Sequence, residues 1–206
     1  MKNIFKILSL IFVFVFSCSN VFANSFDFNE ELPKNIIGSL TDENGNIMEV
    51  VGHLEDNLSV FNDDLQNSAT YSFPLYMNSS NELTTNQTDG SISVRVYLTI
   101  NYETNTEPID YHLLTNVSGR WEILDNKVTV EDAVLRYGCT GVSLEHFYVT
   151  QVDSKNVNNN FNVSTGFDKY VQKEAGSLNA QIGANLKLDL QMGSTRKWKF
   201  EVQNNI

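Results

Sequence analysis

An antiparallel all-β sandwich is the fold this sequence predicts, and three observations predict it. Residues 91–103 read SISVRVYLTINYE, with Ile92, Val94, Val96, Leu98, Ile100 and Tyr102 on every second position and Ser93, Arg95, Tyr97, Thr99 and Asn101 between them. That period of two gives a strand one dry face and one wet face. No window carries a helical period of 3.6, and residues 170–176 offer one helical turn at most. Apolar runs recur every 8 to 12 residues or about that, with Gly, Asn, Asp and Ser between them, which is the spacing of a sandwich or a barrel. A β-barrel, or an elongated β protein of the pore-forming type, satisfies the same pattern and is the alternative architecture.

The elements follow in chain order. Residues 24–35 are polar, hold Pro33 and read as an irregular lead-in. Residues 36–54 form a hairpin, because Asn44-Gly45 tolerates the positive φ of a tight turn. Residues 55–70 are polar, and residues 70–76 make a short strand that Pro74 confines to an edge or a bulge. Residues 78–90 are a loop and the one place where the chain offers a subdivision. After strand 91–103 come a strand over 109–117, a two-residue turn at Ser118-Gly119 and a return over 121–124. Asp125-Asn126 turns into Val128-Thr129-Val130, Glu131-Asp132 breaks the run, and residues 133–137 resume it. Gly138 and Gly141 bracket Cys139-Thr140 at a strand end. Residues 142–152 read as one long strand, and 153–166 as a loop with a short strand at 161–163. From Ala180 the apolar set Ile182, Ala184, Leu186, Leu188, Leu190 and Met192 alternates with polar residues. Gly193-Ser194-Thr195 turns, and Trp198, Phe200 and Val202 complete a C-terminal hairpin. Tight turns make neighbours antiparallel. One wet face per strand fits two sheets packed dry face to dry face.

The first residues indicate the compartment. Lys2 and Lys6 precede the apolar run ILSLIFVFVF, and Val21-Phe22-Ala23 offers a cleavage site. The run is short for a bilayer span of about 20 residues. We expect a signal peptide over residues 1–23, a single sandwich domain over 24–206, and release outside the cell. Lipidation at Cys18 is the lesser alternative, because bulky Phe16 disfavours it. Cleavage would leave Cys139 as the one cysteine, so no disulfide framework supports the fold. A chain of this length buries an adequate core without one. Low cysteine use in an exported chain rich in Asn, Lys, Ile and Phe suggests a Gram-positive bacterium.

The formal net charge is −11, and loss of Lys2 and Lys6 would make the mature chain more acidic still. Nucleic acid and anionic lipid are bound through basic patches, so nucleic acid is not expected as a partner. A membrane enters only in the pore-forming alternative.

Residues that carry chemistry are few. A cysteine nucleophile needs a base beside its thiol. His146 is seven residues from Cys139 and reads as mid-strand, so Cys139 reads as a small apolar residue at a strand end. His53, His112 and His146 stand singly, without zinc-ligand spacing. Asp42-Glu43-Asn44-Gly45-Asn46 has oxygen donors, but its Gly is fourth rather than sixth as an EF-hand requires. Glu103, Asp110, Glu122, Glu145 and Asp189 lie near wet faces, and the sequence pairs none of them as a glycosidase would. No metal, cofactor or catalytic residue is therefore expected. Asn-x-Ser/Thr sequons at Asn57, Asn78, Asn86, Asn116 and Asn162 fit chance in an Asn-rich bacterial chain. Most strand aromatics read as core. Tyr97 differs, because its alternation phase turns it outward beside Arg95. Arg95, Tyr97 and Thr99 are the candidate binding residues.

Gly119-x-Trp121, Val128-Thr129-Val130, the stretch from Val134 to Tyr137-Gly138, and Gly141 follow one another in an order that resembles small uncharacterised secreted β-sandwich proteins of Gram-positive bacteria. The resemblance covers about a tenth of the chain. It implies a compartment and a fold and carries no functional residue over. The expectation is a secreted, non-enzymatic β-sandwich protein that binds an extracellular glycan or protein partner. A β-pore-forming toxin or bacteriocin-like factor is the alternative, because strands such as 91–103 exceed the about 10 residues that cross a bilayer.

Overall fold

Alternation over 91–103 and 180–192 demands two long strands with one buried face each, and both are present. The computed structural model describes residues 33–55, 66–75, 93–105, 109–175 and 178–206. The expected signal peptide over 1–23, Cys18, the loop 78–90 with its subdivision, and the sequons at Asn57, Asn78 and Asn86 lie outside the described residues. The strands are β1 (Asn35–Asp42), β2 (Ile47–Leu54), β3 (Gln66–Leu75), β4 (Val94–Asn105), β5 (Tyr111–Ile123), β6 (Val128–Ser143), β7 (Tyr148–Asn156), β8 (Phe161–Ser164), β9 (Val171–Gln172), β10 (Glu174–Ala175), β11 (Leu178–Asn179), β12 (Gln181–Met192) and β13 (Arg196–Asn205). The fold is all-β, and its pairings are antiparallel.

One hydrogen-bonded sheet of 11 strands surrounds the core, in the order β12-β13-β1-β2-β3-β4-β5-β9-β6-β7, with β8 on the outer edge of β5 and β10-β11 as a separate pair. Between β2 and β3 the link is short: His53 and Leu54 pair with Ser72 and Tyr71. Between β5 and β6 it is β9, which pairs with both through Val171 and Gln172. Because β12 also pairs with β6, the hydrogen-bond path closes into a circuit, a barrel-like connectivity that places the two sets of strands expected of a sandwich on opposite sides of one core. β13 faces β3 and β4 across the core, and β12 faces β4 and β5.

The dry faces meet as alternation requires. Val94, Val96, Leu98 and Ile100 of β4 are fully buried, and so are Leu186 of β12 and Phe200 of β13. Burying such a side chain is worth roughly 1.5–3 kcal/mol relative to leaving it exposed. Asn204 continues the inward row of β13 and is also fully buried, with Nδ2 donating to the carbonyls of Ala69 and Leu98 at 2.9 Å each. One amide therefore bridges β13 to β3 and β4 across the core.

Several local expectations are corrected. Ser118-Gly119 is no turn: β5 runs straight through it, with Gly119 between Leu98 of β4 and Phe161 of β8. A side chain at Gly119 would meet the Phe161 ring, so the glycine serves a close approach. Glu131-Asp132 does not break the strand: β6 continues, and the ladder to β12 shifts register there as a bulge. Cys139 lies inside β6 rather than at a strand end, paired with Ile182 and Gln151. The long strand expected over 142–152 is interrupted, and β7 starts only at Tyr148. Between them Ser143 N–H donates to Phe147 O at 2.8 Å and His146 N–H to Ser143 O at 2.9 Å. His146 takes φ 65° in that turn, so it is not mid-strand. The strand around Pro74 is longer than expected, and Pro74 lies beyond the end of the β2 ladder. Residues 170–175 hold β9 and β10 in place of a helical turn.

The first hairpin is present in a different turn. Gly45 N–H donates to Asp42 O at 3.1 Å, and Asp42 N–H to Asn46 O at 3.0 Å. Gly45 takes φ 84°, while Asn44 is not among the positive-φ residues. This is a three-residue loop closed by a glycine bulge instead of a two-residue turn.

Candidate functional site

The three residues picked from the sequence stand in one outward row on β4, and register decides what stands beside them. Arg95 lies between Pro74 and Glu122, Tyr97 between Ser72 and Arg120, Thr99 between Thr70 and Ser118, and Asn101 between Ser68 and Asn116. β8 extends two of these rows, placing Asn162 beside Ser118 and Ser164 beside Asn116. Directly paired residues of an antiparallel ladder share a face. The outer face of β3-β4-β5-β8 is therefore largely polar, with Pro74 and the buried Ser72 on its β3 row.

Its centre is an ordered cluster. The Arg120 guanidinium lies 4.2 Å from the centroid of the Tyr97 ring. A planar, weakly hydrated guanidinium favours that stacking. Arg120 also reaches Glu122 at 3.4 Å, and Arg95 reaches the other Glu122 oxygen at 4.0 Å. The Arg95 pKa is raised, chiefly by a side-chain hydrogen bond with Tyr97 and less by attraction from Glu122 and Glu55. Two cations thus sit among two carboxylates, in a chain whose formal net charge is −11. Beyond them Thr70 and Thr99 share a hydroxyl hydrogen bond of 2.9 Å, and Asn101 donates to Asn116 Oδ1 at 3.4 Å. The face offers guanidinium donors, hydroxyls, amides and one outward ring, pinned by a rigid sheet.

Arg95, Tyr97 and Thr99 were legible because a single strand's period reveals them. Arg120, Glu122, Thr70 and Ser118 were missed as parts of the same surface. Their membership depends on cross-strand register, and the expected turn at Ser118-Gly119 hid the phase of Arg120.

Elsewhere several of the chemically capable residues are held in local contacts. Cys139 is fully buried, with Sγ 3.6 Å from the backbone oxygen of His112. Burial pushes its thiol up to about 11. An activated cysteine needs a shift in the opposite direction. Since the folded value lies above the unfolded one, burial of the thiol contributes stability below pH 9 that is lost as pH rises towards 11. Native Cys139 is expected to resist a maleimide at about pH 8 and to react once denaturant unfolds the chain. Ready labelling of the native protein would contradict this environment.

The His112 ring meets Thr104 Oγ1 at 3.1 Å and stands edge-on to Tyr102. His53 meets Asn35 at 2.9 Å. Both oxygens of the Asp42 carboxylate are engaged within their own loop, by Asn44 N–H, Asn46 N–H and Asn46 Nδ2. The side-chain hydrogen bond from Asn46 is the largest cause holding Asp42 below the usual carboxylate range. Glu103 accepts from the Tyr170 hydroxyl, a bond that, ahead of burial, pushes the phenol up to about 12. Glu145 faces Lys169 at 3.9 Å, and Asp189 faces Lys187 at 3.8 Å. Among the described residues no group of three or more His, Cys, Asp or Glu is placed to hold a metal ion. Comparison with family models, curated proteins and solved structures finds no match to this chain.

Proposed function

We propose that this chain is a secreted, non-enzymatic β-sandwich protein that binds an extracellular glycan or protein through the outer face of β3, β4 and β5. The observation that carries the reading is Tyr97: an aromatic ring turned outward on a core strand and stacked by Arg120. An outward ring held in place by a neighbouring side chain is the kind of group a binding face uses as a low-entropy anchor. The surrounding Thr99, Thr70, Ser118 and Asn101 supply the donors and acceptors that a hydroxylated partner would meet.

The test is direct. Purified protein is screened against soluble oligosaccharides and candidate extracellular proteins, and affinities are measured for the best binder. Tyr97→Ala is expected to weaken binding by about 10- to 100-fold, and Arg120→Ala by a similar factor. Thr99→Val should reduce it less, since one hydroxyl is lost from an otherwise intact face. Unchanged affinity in both Tyr97→Ala and Arg120→Ala would remove this surface from the function.

The pore-forming alternative makes a different demand. A barrel in lipid exposes its apolar face outward, yet the apolar faces of β4 and β12 are spent on the core. Insertion would have to open that core first. Dye-filled liposomes are therefore expected to stay intact, and leakage in proportion to protein would favour the alternative.

A further inference from the structure

β7 lies outside the closed hydrogen-bond circuit, at the end of the strand path. It pairs with β6 over nine consecutive residue pairs without a register shift. Among the described residues no strand pairs with its other edge. Natural edge strands are usually kept apart by a bulge, a proline, a charge on the exposed row or a covering element. β7 has no proline and no bulge.

The phase of its hydrogen bonds is set at both ends. Ser143 N–H donates to Phe147 O at 2.8 Å, and Val157 N–H donates to Ala133 O at 2.9 Å. Bonded pairs alternate along an antiparallel ladder. The odd residues from Val149 to Lys155 therefore turn their backbone groups to β6. Thr150, Val152 and Ser154 turn theirs to the outer edge, and their side chains share one face with Tyr148 and Asn156. That face carries no charge. The two charged residues of β7 belong to the other face, where Asp153 accepts from the Tyr137 hydroxyl at 2.8 Å and Lys155 Nζ lies 5.9 Å from the Tyr137 ring centroid.

We infer that β7 is a self-association edge, and that its occupant is β7 of a second copy of this chain. A twofold axis at Val152 sets Val152 against Val152, Thr150 against Ser154, and Tyr148 against Asn156. Every bonded pair in that register joins residues whose backbone groups already point outward. Gln151 then faces Asp153, and Val149 faces Lys155, so no like charges oppose each other. In a chain of formal net charge −11, an edge whose self-pairing directly opposes no carboxylates avoids the like-charge repulsion that acts against self-contact. The same register lays Phe147 against Val157. Phe147, Tyr148 and Val152 are 69, 52 and 57% exposed, so the pairing would take apolar area at this edge out of water. The Ser154 N–H is held meanwhile by Asp153 Oδ1 at 2.7 Å, a bond the pairing would share or replace. An isologous contact of this kind closes on itself as a dimer.

Sedimentation velocity of the purified protein over a concentration series tests the inference, with circular dichroism on each variant. The native chain is expected to form a dimer. Val152→Lys puts two like charges on the axis and should weaken it by about 100-fold. Thr150→Pro removes an outward N–H and should also yield monomer, while an edge strand tolerates the proline. Val152→Ile should keep the dimer. A native chain that stays monomeric at its highest soluble concentration would overturn the inference. So would a dimer that survives both Val152→Lys and Thr150→Pro with the fold intact.

Discussion

Asn204→Asp is expected to lower stability by about 3–5 kcal/mol at neutral pH, because it places an uncompensated carboxylate in the core. The amide donates to the carbonyls of Ala69 and Leu98, and its Oδ1 has no partner among the described residues. A carboxylate there offers no donor and points an oxygen at two oxygens. The site would keep the acid protonated well above its unfolded value of about 3.9. A group whose folded pKa is raised destabilises as pH climbs past the unfolded value, so the penalty should shrink as pH falls towards about 4. Asn204→Leu separates the two effects. It loses the donors but adds no charge, and should cost about 1–3 kcal/mol with little pH dependence. Denaturant midpoints for the three proteins at two pH values would measure this. Equal, pH-independent losses would mean that Asn204 acts by shape alone.

The same residue shows where sequence legibility stops. β4 and β12 could be read because a buried face forces a period of two on the chain itself. Asn204 falls on the inward phase of β13 after Trp198, Phe200 and Val202, yet a polar residue there reads as the end of a strand. Only β3 and β4 across the core give it a reason to be inside. Turns were misread for a related cause. Glycine marks both a positive φ, as at Gly45, and a close approach, as at Gly119, and one sequence cannot distinguish them. The turn before β7 carries no such mark, because His146 occupies the left-handed position that Gly45 fills in the first hairpin. The candidate surface divides in the same way. Its β4 row was visible in one strand, and its β5 and β3 rows exist only through pairing with residues distant in the chain.

Gly119→Ala joins fold and surface in one measurement. A β-carbon at Gly119 would lie 2.5 Å from Phe161 Cζ and 2.7 Å from the backbone oxygen of Tyr97. The ring can rotate away, but the carbonyl belongs to the β4 backbone and cannot. Relief must come from a shift between β4 and β5 next to the Tyr97–Arg120 pair. Overpacking of this kind costs about 1–3 kcal/mol. The same shift should loosen the guanidinium from the ring, so affinity for any ligand of this face should fall along with the melting temperature. Ser118→Ala, one residue earlier and turned to the outer face, should leave stability within about 0.5 kcal/mol of the native chain. Combining Gly119→Ala with Phe161→Ala removes the ring contact and leaves the carbonyl contact. The alanine at 119 should therefore still cost stability in that background, though less than in the native one. If Gly119→Ala were neutral in both stability and binding, β5 would not run straight through Ser118-Gly119. Arg120 would then lose its place over Tyr97, and the proposed surface would lose its centre.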